Sequence, residues 1–259
     1  MLGEIRCRVC GLRHDEAIWD EDGQTPTFAT CACCGCTFGR EDRTPEEIRA
    51  HRDRWRLHGE AWFDESKKPE GWRIEEQILF IPRFTFRVLP GLQGAGPGPV
   101  SFTFAGSARQ HAEGFVVEFM RITGGSWVGN FQRGIGTKSA AMPEPLRTDR
   151  AIVIAGGTGY LVELESRALV RTFGGAINDV LYLPSHEALI FGNGLWFECA
   201  NPDGLRWKTQ RISWDGMQGV RLEGERILGE AFDTAKGQWL PFEVDVETGD
   251  VVGGADPPS

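Results

Sequence analysis

The chain has 259 residues, of which 41% are apolar and 25% charged, with 34 glycines and nine tryptophans. That is the composition of a globular, turn-rich protein with aromatic packing and is too apolar for a disordered one. The net charge is −9, shared between residues 1–78 (12 basic, 17 acidic) and the remainder (16 basic, 20 acidic). Phosphate-driven nucleic-acid binding needs a positive surface, so this balance argues against it. No stretch approaches the roughly 20 apolar residues of a membrane span. The opening MLGEIRCRVC carries no signal-peptide apolar run, which makes a cytoplasmic location the expectation.

Six of the seven cysteines fall within residues 7–36. Cys7-x-x-Cys10-Gly is followed, after 20 intervening residues, by Cys31-x-x-Cys34-Gly. Two such pairs in one short segment suit a tetrahedral site of four thiolates, with Zn²⁺ as the expected structural ion. Gly11 and Gly35 permit the positive φ that such a knuckle requires. Between the knuckles, Trp19 to Phe28 reads as strand, turn and strand, so the whole is expected to be a zinc ribbon. Cys33 and Cys36 share CxxC spacing but lack the following glycine. They could be alternative ligands, but small thiols packed beside the metal are the favoured reading. A thioredoxin-like pair would want a helix N-terminus in a βαβ setting, which is not evident. Cys199, alone in an apolar strand, is expected in the core.

Thr44-Pro45-Glu46-Glu47 is a helix start, with Thr44 as N-cap and Glu47 closing a capping box. Ile48, Trp55 and Trp62, seven residues apart, predict one apolar face on a helix over about 45–62. Arg49, Arg52 and Arg56 form a neighbouring stripe, read as a solvated, salt-bridged face.

The segments CRVCG, CACCGCTFGRED, HRDRWRLHGEAWF and KKPEGWRIEEQI together resemble the small bacterial cysteine-rich CPCC-type zinc-ribbon proteins over about residues 5–78. Arg8 and Ala32 stand where that pattern commonly has proline, and Arg40 where it has an aromatic residue. The resemblance implies a zinc site. It also raises the expectation of an immunity or accessory role, since some members of the family are suspected of one.

From residue 79 onward short strand-like runs recur to Val246, joined by turn sequences such as GNG, NPDG and ETGD, with no helical pattern. The expected division is therefore a ribbon with a helix over 1–78 and an all-β domain over 79–259. Three segments in that part share one shape of glycine, aromatic residue, strand, polar turn and second strand. They are GTGYLVELESRALVRTF, GNGLWFECANPDGLRWKTQRI and KGQWLPFEVDVETGDVVGG. Spacings near 40 residues with strand-only content predict propeller blades, four or five in number, with a distorted propeller or a sandwich as the alternative. The C-terminal part also resembles bacterial β-propeller-like proteins.

No GxSxG elbow, P-loop, HExxH or dinucleotide fingerprint occurs. The glycine-rich run at 91–100 leads into a strand and reads as a surface loop. GGSWVGNFQRGIG gathers Trp127, Asn130, Phe131 and Arg133 between glycines, a candidate contact loop because Trp and Arg anchor interfaces. A bulged strand packing Trp127 and Phe131 inward is the competing reading. The functional expectation is a non-catalytic protein–protein interaction protein, in its specific form an immunity-type protein that neutralises a basic toxin by charge complementarity. The alternatives are a nucleic-acid-associated ribbon protein and an enzyme with its site on the propeller loops.

Overall fold

Thr44 starts the main helix, α1 (Pro45–Leu57), as the capping box requires: its hydroxyl accepts from Glu47 N at 3.2 Å and the Glu47 carboxylate accepts from Thr44 N at 2.9 Å. The helix stops earlier than the apolar spacing suggested. Gly59 and Glu60 both take left-handed φ (73° and 57°) and turn the chain back. Trp62 thus joins the same apolar face from outside the helix, buried edge-on to Trp72 with ring centroids 5.5 Å apart. The structure, a computed structural model, describes residues 3–92, 94, 98–104, 113–145, 147–183, 186, 188–201 and 204–255.

Before α1 runs a minimal hairpin. β1 (Gly3–Glu4) pairs antiparallel with β2 (Trp19–Asp20), and isolated bridges tie Trp19 to Pro26 and Thr30 to Thr37. Asp22 closes the turn after β2 by accepting from Gln24 N and Thr25 N at 2.7 and 2.9 Å. After α1 come a single helical turn, α2 (Ile74–Gln77), and two 3-10 turns (Glu65–Lys67 and Ile78–Phe80).

The rest is β. Four sheets of four strands are present among the described residues. The first orders β3 (Phe84–Leu89), β5 (Phe115–Arg121), β6 (Ser126–Phe131) and β4 (Val100–Phe102), with β4 parallel to β6 and the other pairs antiparallel. The other three run in chain order. The second holds β7 (Ala140–Pro143), β8 (Arg150–Ala155), β9 (Thr158–Glu163) and β10 (Ala168–Gly174). The third holds β11 (Asp179–Leu183), β12 (Ala188–Gly192), β13 (Phe197–Asn201) and β14 (Gly204–Lys208). The fourth holds β15 (Met217–Glu223), β16 (Arg226–Asp233), β17 (Gln238–Asp245) and β18 (Val251–Gly253). The three sequence repeats are the third and fourth strands of these last three sheets. Their common shape is that of a strand, a tight turn and an exposed edge strand, with β9 buried almost throughout and β13 and β17 in part. The second strands β8 and β12 are buried nearly throughout, which is why they read as apolar runs without a partner. AGGTGY forms the β8–β9 hairpin, with Gly156 and Gly157 at φ 53° and 78°, the conformation a two-residue turn demands.

The chain forms two compact units. The first comprises Met1–Arg133, Ser139–Ala155 and Gly159–Phe173, and the second Gly134–Lys138, Gly156–Thr158 and Gly174–Ser259. In the first unit the ribbon is tied to the sheets. Val88 N donates to Asp22 O (2.9 Å), Gln24 Nε2 to Val88 O (2.9 Å), and Gly23 approaches Phe86 so closely that a Cβ would lie 2.3 Å from its carbonyl oxygen. Ile122, next in the chain after β5, packs into the ribbon's own core. The aromatic core of this unit's sheets includes Phe102 stacked on Phe131 at 4.7 Å and Phe119 against Trp127 at 4.6 Å. The second unit is built on Ile190, Phe197, Trp207, Ile227 and Phe242, with Cys199 fully buried among them.

The candidate contact loop is corrected here: its aromatic residues lie on strand β6, with Arg133 two residues beyond the strand end. Trp127, Asn130 and Phe131 are buried, with Trp127 Nε1 donating to Leu164 O at 3.1 Å and the Asn130 carboxamide accepting from Gly114 N at 2.8 Å. Only Arg133 is exposed, its guanidinium on Ser139 Oγ at 3.0 Å. Gly129 serves close packing, since a Cβ there would sit 2.6 Å from the Phe131 ring, while Gly124 and Gly125, at φ 113° and 87° with open space around them, make the turn into β6. Trp127→Ala is therefore expected to cost about 3–5 kcal/mol of stability, read as a lowered urea midpoint. A midpoint within experimental error of the parent would contradict this packing.

Candidate metal centre

Each knuckle is a turn closed by its own backbone. Gly11 N donates to Cys7 O and Cys7 N to Leu12 O, both at 2.9 Å; Gly35 N donates to Cys31 O (2.9 Å) and Cys31 N to Cys36 O (2.8 Å). Gly11 and Gly35 take φ of 78° and 71°, and each is pressed against a neighbour, Gly11 on the Phe80–Ile81 backbone and Gly35 on the Phe63 ring. Either glycine replaced by a larger residue would meet strain and collision together.

The two turns bring Cys7, Cys10, Cys31 and Cys34 together, all buried, with their four sulfurs within 4.8 Å of one another. Cys7 Sγ lies 3.6 Å from Cys34 Sγ and Cys10 Sγ 3.7 Å from Cys31 Sγ. A tetrahedron with metal–sulfur bonds of about 2.3 Å has edges of about 3.8 Å, so these residues fit a bound ion. The cysteines are free thiols. Burial alone would raise the Cys7 thiol, but hydrogen bonds from Cys10, Cys31, Cys34 and Cys36 outweigh it and bring Cys7 well below the ordinary thiol value. Hydrogen bonds from Cys10 and Cys34 bring Cys31 down to about 7. Burial and the neighbouring thiols drive Cys10 the other way. Four crowded sulfurs cannot all ionise unaided, whereas a divalent cation bound among them favours the thiolate form of each and offsets half of their charge.

Cys33 and Cys36 are fully buried at the site's edge, outside the four-sulfur group. Cys33 Sγ accepts from Gln77 Nε2 at 3.3 Å, and the same amide nitrogen donates to Cys10 O at 3.0 Å. Trp72 Nε1 holds the other end of that amide at 2.7 Å. The knuckle carbonyls are gripped from α1 as well. His51 Nε2 is 2.9 Å from Cys34 O, and the Arg52 guanidinium donates to Val9 O (2.9 Å) and Arg8 O (2.6 Å). The expectation of a solvated arginine face thus holds for Arg56, which is exposed, and fails for Arg52, whose burial lowers its pKa to about 10.

Arg8 has the largest consequence that the sequence reading missed. Set between the two cysteines of the first knuckle, it is 1% exposed and paired with Glu4, which is 2% exposed. Its Nε donates to Glu4 Oε2 at 2.9 Å, its remaining nitrogens reach Asp42 O and Gly23 O, and its guanidinium lies 3.7 Å over the Trp19 ring. Trp19 Nε1 in turn donates to Asp42 Oδ2 at 3.1 Å, and Gly39 N to Asp42 Oδ1 at 2.6 Å. Burial pushes the Asp42 carboxyl up to about 6, with Arg8 opposing. A charged residue inside a CxxC of an acidic module was the available signal.

No family model matches the chain, and no curated protein matches it. Similar solved structures include the extracellular domain of the B. thetaiotaomicron one component system BT4673 (TM-score 0.35, 11% identity, 53% of this chain and 21% of that one). They also include dihydro-heme d1 dehydrogenase NirN in complex with DHE (0.38, 12%, 56% and 34%) and the β-propeller domain of Myceliophteria thermophila Cps50, or Swd1 (0.33, 12%, 57% and 58%). The matched regions thus span about a fifth to rather more than half of those chains, and the sheets are characterised by their own strand order.

Arg8→Met is expected to destabilise the first unit by about 3–5 kcal/mol, because Glu4 is left buried without its partner. Adding Glu4→Gln should recover much of that loss in the same chemical denaturation experiment. A single variant as stable as the parent would contradict the buried pair.

Proposed function

We propose that this is a non-catalytic interaction protein in which a structural zinc ribbon and propeller-type blades present surfaces to a protein partner in the cytoplasm. The observation that carries the reading is the closed sulfur tetrad. All four positions of a tetrahedral ion are taken by buried thiolates, so no position remains for substrate or water, the arrangement of structural sites as opposed to catalytic ones. Soft thiolate donors favour Zn²⁺, with iron the other ion that accepts four sulfurs in this geometry. The resemblance of residues 5–78 to CPCC-type ribbons supports zinc. The four four-stranded sheets, three of them ordered strand by strand along the chain, support blades. Among the described residues, no helix is long and apolar enough to cross a membrane.

The specific form of the reading is an immunity-type protein. A net charge of −9 suits a basic partner, such as a toxin acting on nucleic acid, because complementary charge raises the association rate and disfavours acidic competitors. Co-expression with toxins encoded beside its gene should protect the host cell and yield a stable complex. Failure of both with every neighbouring toxin would remove the immunity form.

For the metal, elemental analysis of protein purified without chelator is expected to find about one zinc per chain. Cys7→Ser or Cys34→Ser should lose it and unfold the ribbon. Zinc should also leave as pH falls, since protons compete for the thiolates. Iron with visible charge-transfer absorbance, or no metal, would overturn the zinc assignment.

A further inference from the structure

A cavity of about 380 Å³ opens within the second unit, between the segment Gly174–Ile177 and the β12–β13 hairpin. That is the size of a small-ligand site. Its lining includes the small residues Gly174, Gly175, Ala176 and Gly192, and a Cβ built on Gly175 meets nothing within 4 Å. Apolar walls come from Ile177, Phe191 and Trp196, and the polar groups are Asn193 and Glu198.

Sheet register places these groups. Phe191 on β12 is directly opposite Glu198 on β13, which is opposite Lys208 on β14, so the three form a row on one face. Trp196, in the turn before β13, is held by that row. Its Nε1 donates to Glu198 Oε1 at 3.0 Å, and the Lys208 ammonium lies 4.2 Å over its ring. Lys208 and Glu198 are themselves paired at 2.9 Å. The indole is thus a fixed platform, not a mobile surface side chain. Asn193 is fixed as well: its Oδ1 accepts from Leu195 N and Trp196 N at 2.9 and 3.0 Å, which leaves the two N–H groups of Nδ2 as its donors.

We infer that this cavity binds a neutral sugar ring. Lys208 already balances Glu198, and no other lining residue among the described residues is charged, so the site offers no net charge to an ionic ligand. The small residues of the lining admit a compact ring close to the backbone. The negative face of an indole attracts the weakly positive C–H face of a saturated ring. Among the lining side chains, Glu198 accepts while Asn193 donates. Hydroxyl groups, which do both, satisfy such a mixture, and a purely aromatic ring does not. The inference is independent of the zinc site and of any protein partner.

The test uses the full, metal-loaded chain and titrates methyl α-D-glucopyranoside, methyl α-D-galactopyranoside and N-acetylglucosamine, with indole and 9-methyladenine as neutral aromatic probes, by tryptophan fluorescence and calorimetry. At least one sugar should saturate with Kd of roughly millimolar order. Trp196→Ala should weaken that binding about tenfold or more. Gly175→Leu, whose side chain has open space to fill, should abolish it with an unchanged thermal midpoint. Trp239→Ala, which removes an exposed tryptophan elsewhere in the unit, should leave it intact. Absence of saturation by all three sugars up to about 50 mM, saturation by an aromatic probe alone, or sugar binding indifferent to both Trp196→Ala and Gly175→Leu would overturn the inference.

Discussion

Four buried sulfurs within 4.8 Å of one another are the constraint around which the N-terminal part of this protein is built. Their mutual crowding is unfavourable for thiolates unless a cation sits among them, and the surrounding residues are arranged to hold them there nonetheless. Two glycines set the knuckles, and the carbonyls that the knuckles turn outward have donors: Gln77 for Cys10, Arg52 for Arg8 and Val9, His51 for Cys34. Because those donors come from α1 and from the segment after it, the position of the helix follows from that of the metal centre. The short strands β1 and β2 contribute little pairing of their own. A module with so little regular structure would take its rigidity from an ion held by these cysteines and from the polar grip on its turns.

The Arg8–Glu4 pair belongs to the same logic. An ion pair almost wholly out of water is a poor source of net stability, because desolvation consumes much of the Coulomb gain. It does make the arrangement specific. Arg8 can satisfy its guanidinium only where Glu4, the Asp42 and Gly23 carbonyls and the Trp19 face converge. The first knuckle, the hairpin and the entry to α1 are thereby held in one relation.

In the β part each of the three sheets that run in chain order ends on its exposed edge strand, and in two of them the second strand, β8 or β12, is buried. That asymmetry explains why three repeats could be seen in the sequence. The third and fourth strands of successive sheets keep one order of strand, short polar turn and exposed edge strand, while the first two strands vary from sheet to sheet: β7, β8 and β12 are buried, whereas β15 is largely exposed and β16 alternates. The first sheet escapes the pattern altogether, since β4 enters it parallel to β6 and joins out of chain order.

Much of the local structure was legible because it depends on neighbours in sequence. Cysteine spacing and the glycines after each pair specify the knuckles, Thr44 and Glu47 specify the helix start, and paired glycines specify the β8–β9 turn. The end of α1 was misplaced because seven-residue apolar spacing is satisfied equally by Trp62 folding back beyond Gly59. Trp127, Asn130 and Phe131 were offered as a contact surface because glycines around aromatics look alike in a loop and in a tightly packed strand. Only the burial of β6 under Phe102 and Phe119 separates the two. Arg52 and Arg8 were read as surface or neutral substitutions because charge is assigned to solvent by default, and their partners lie dozens of residues away or across a turn. So the sequence by itself determined which cysteines meet, where the helix begins and that the remainder is β, all consequences of short-range spacing. Tertiary structure alone decided which charges and aromatics are buried and which face a cavity, because burial depends on what the rest of the chain brings alongside.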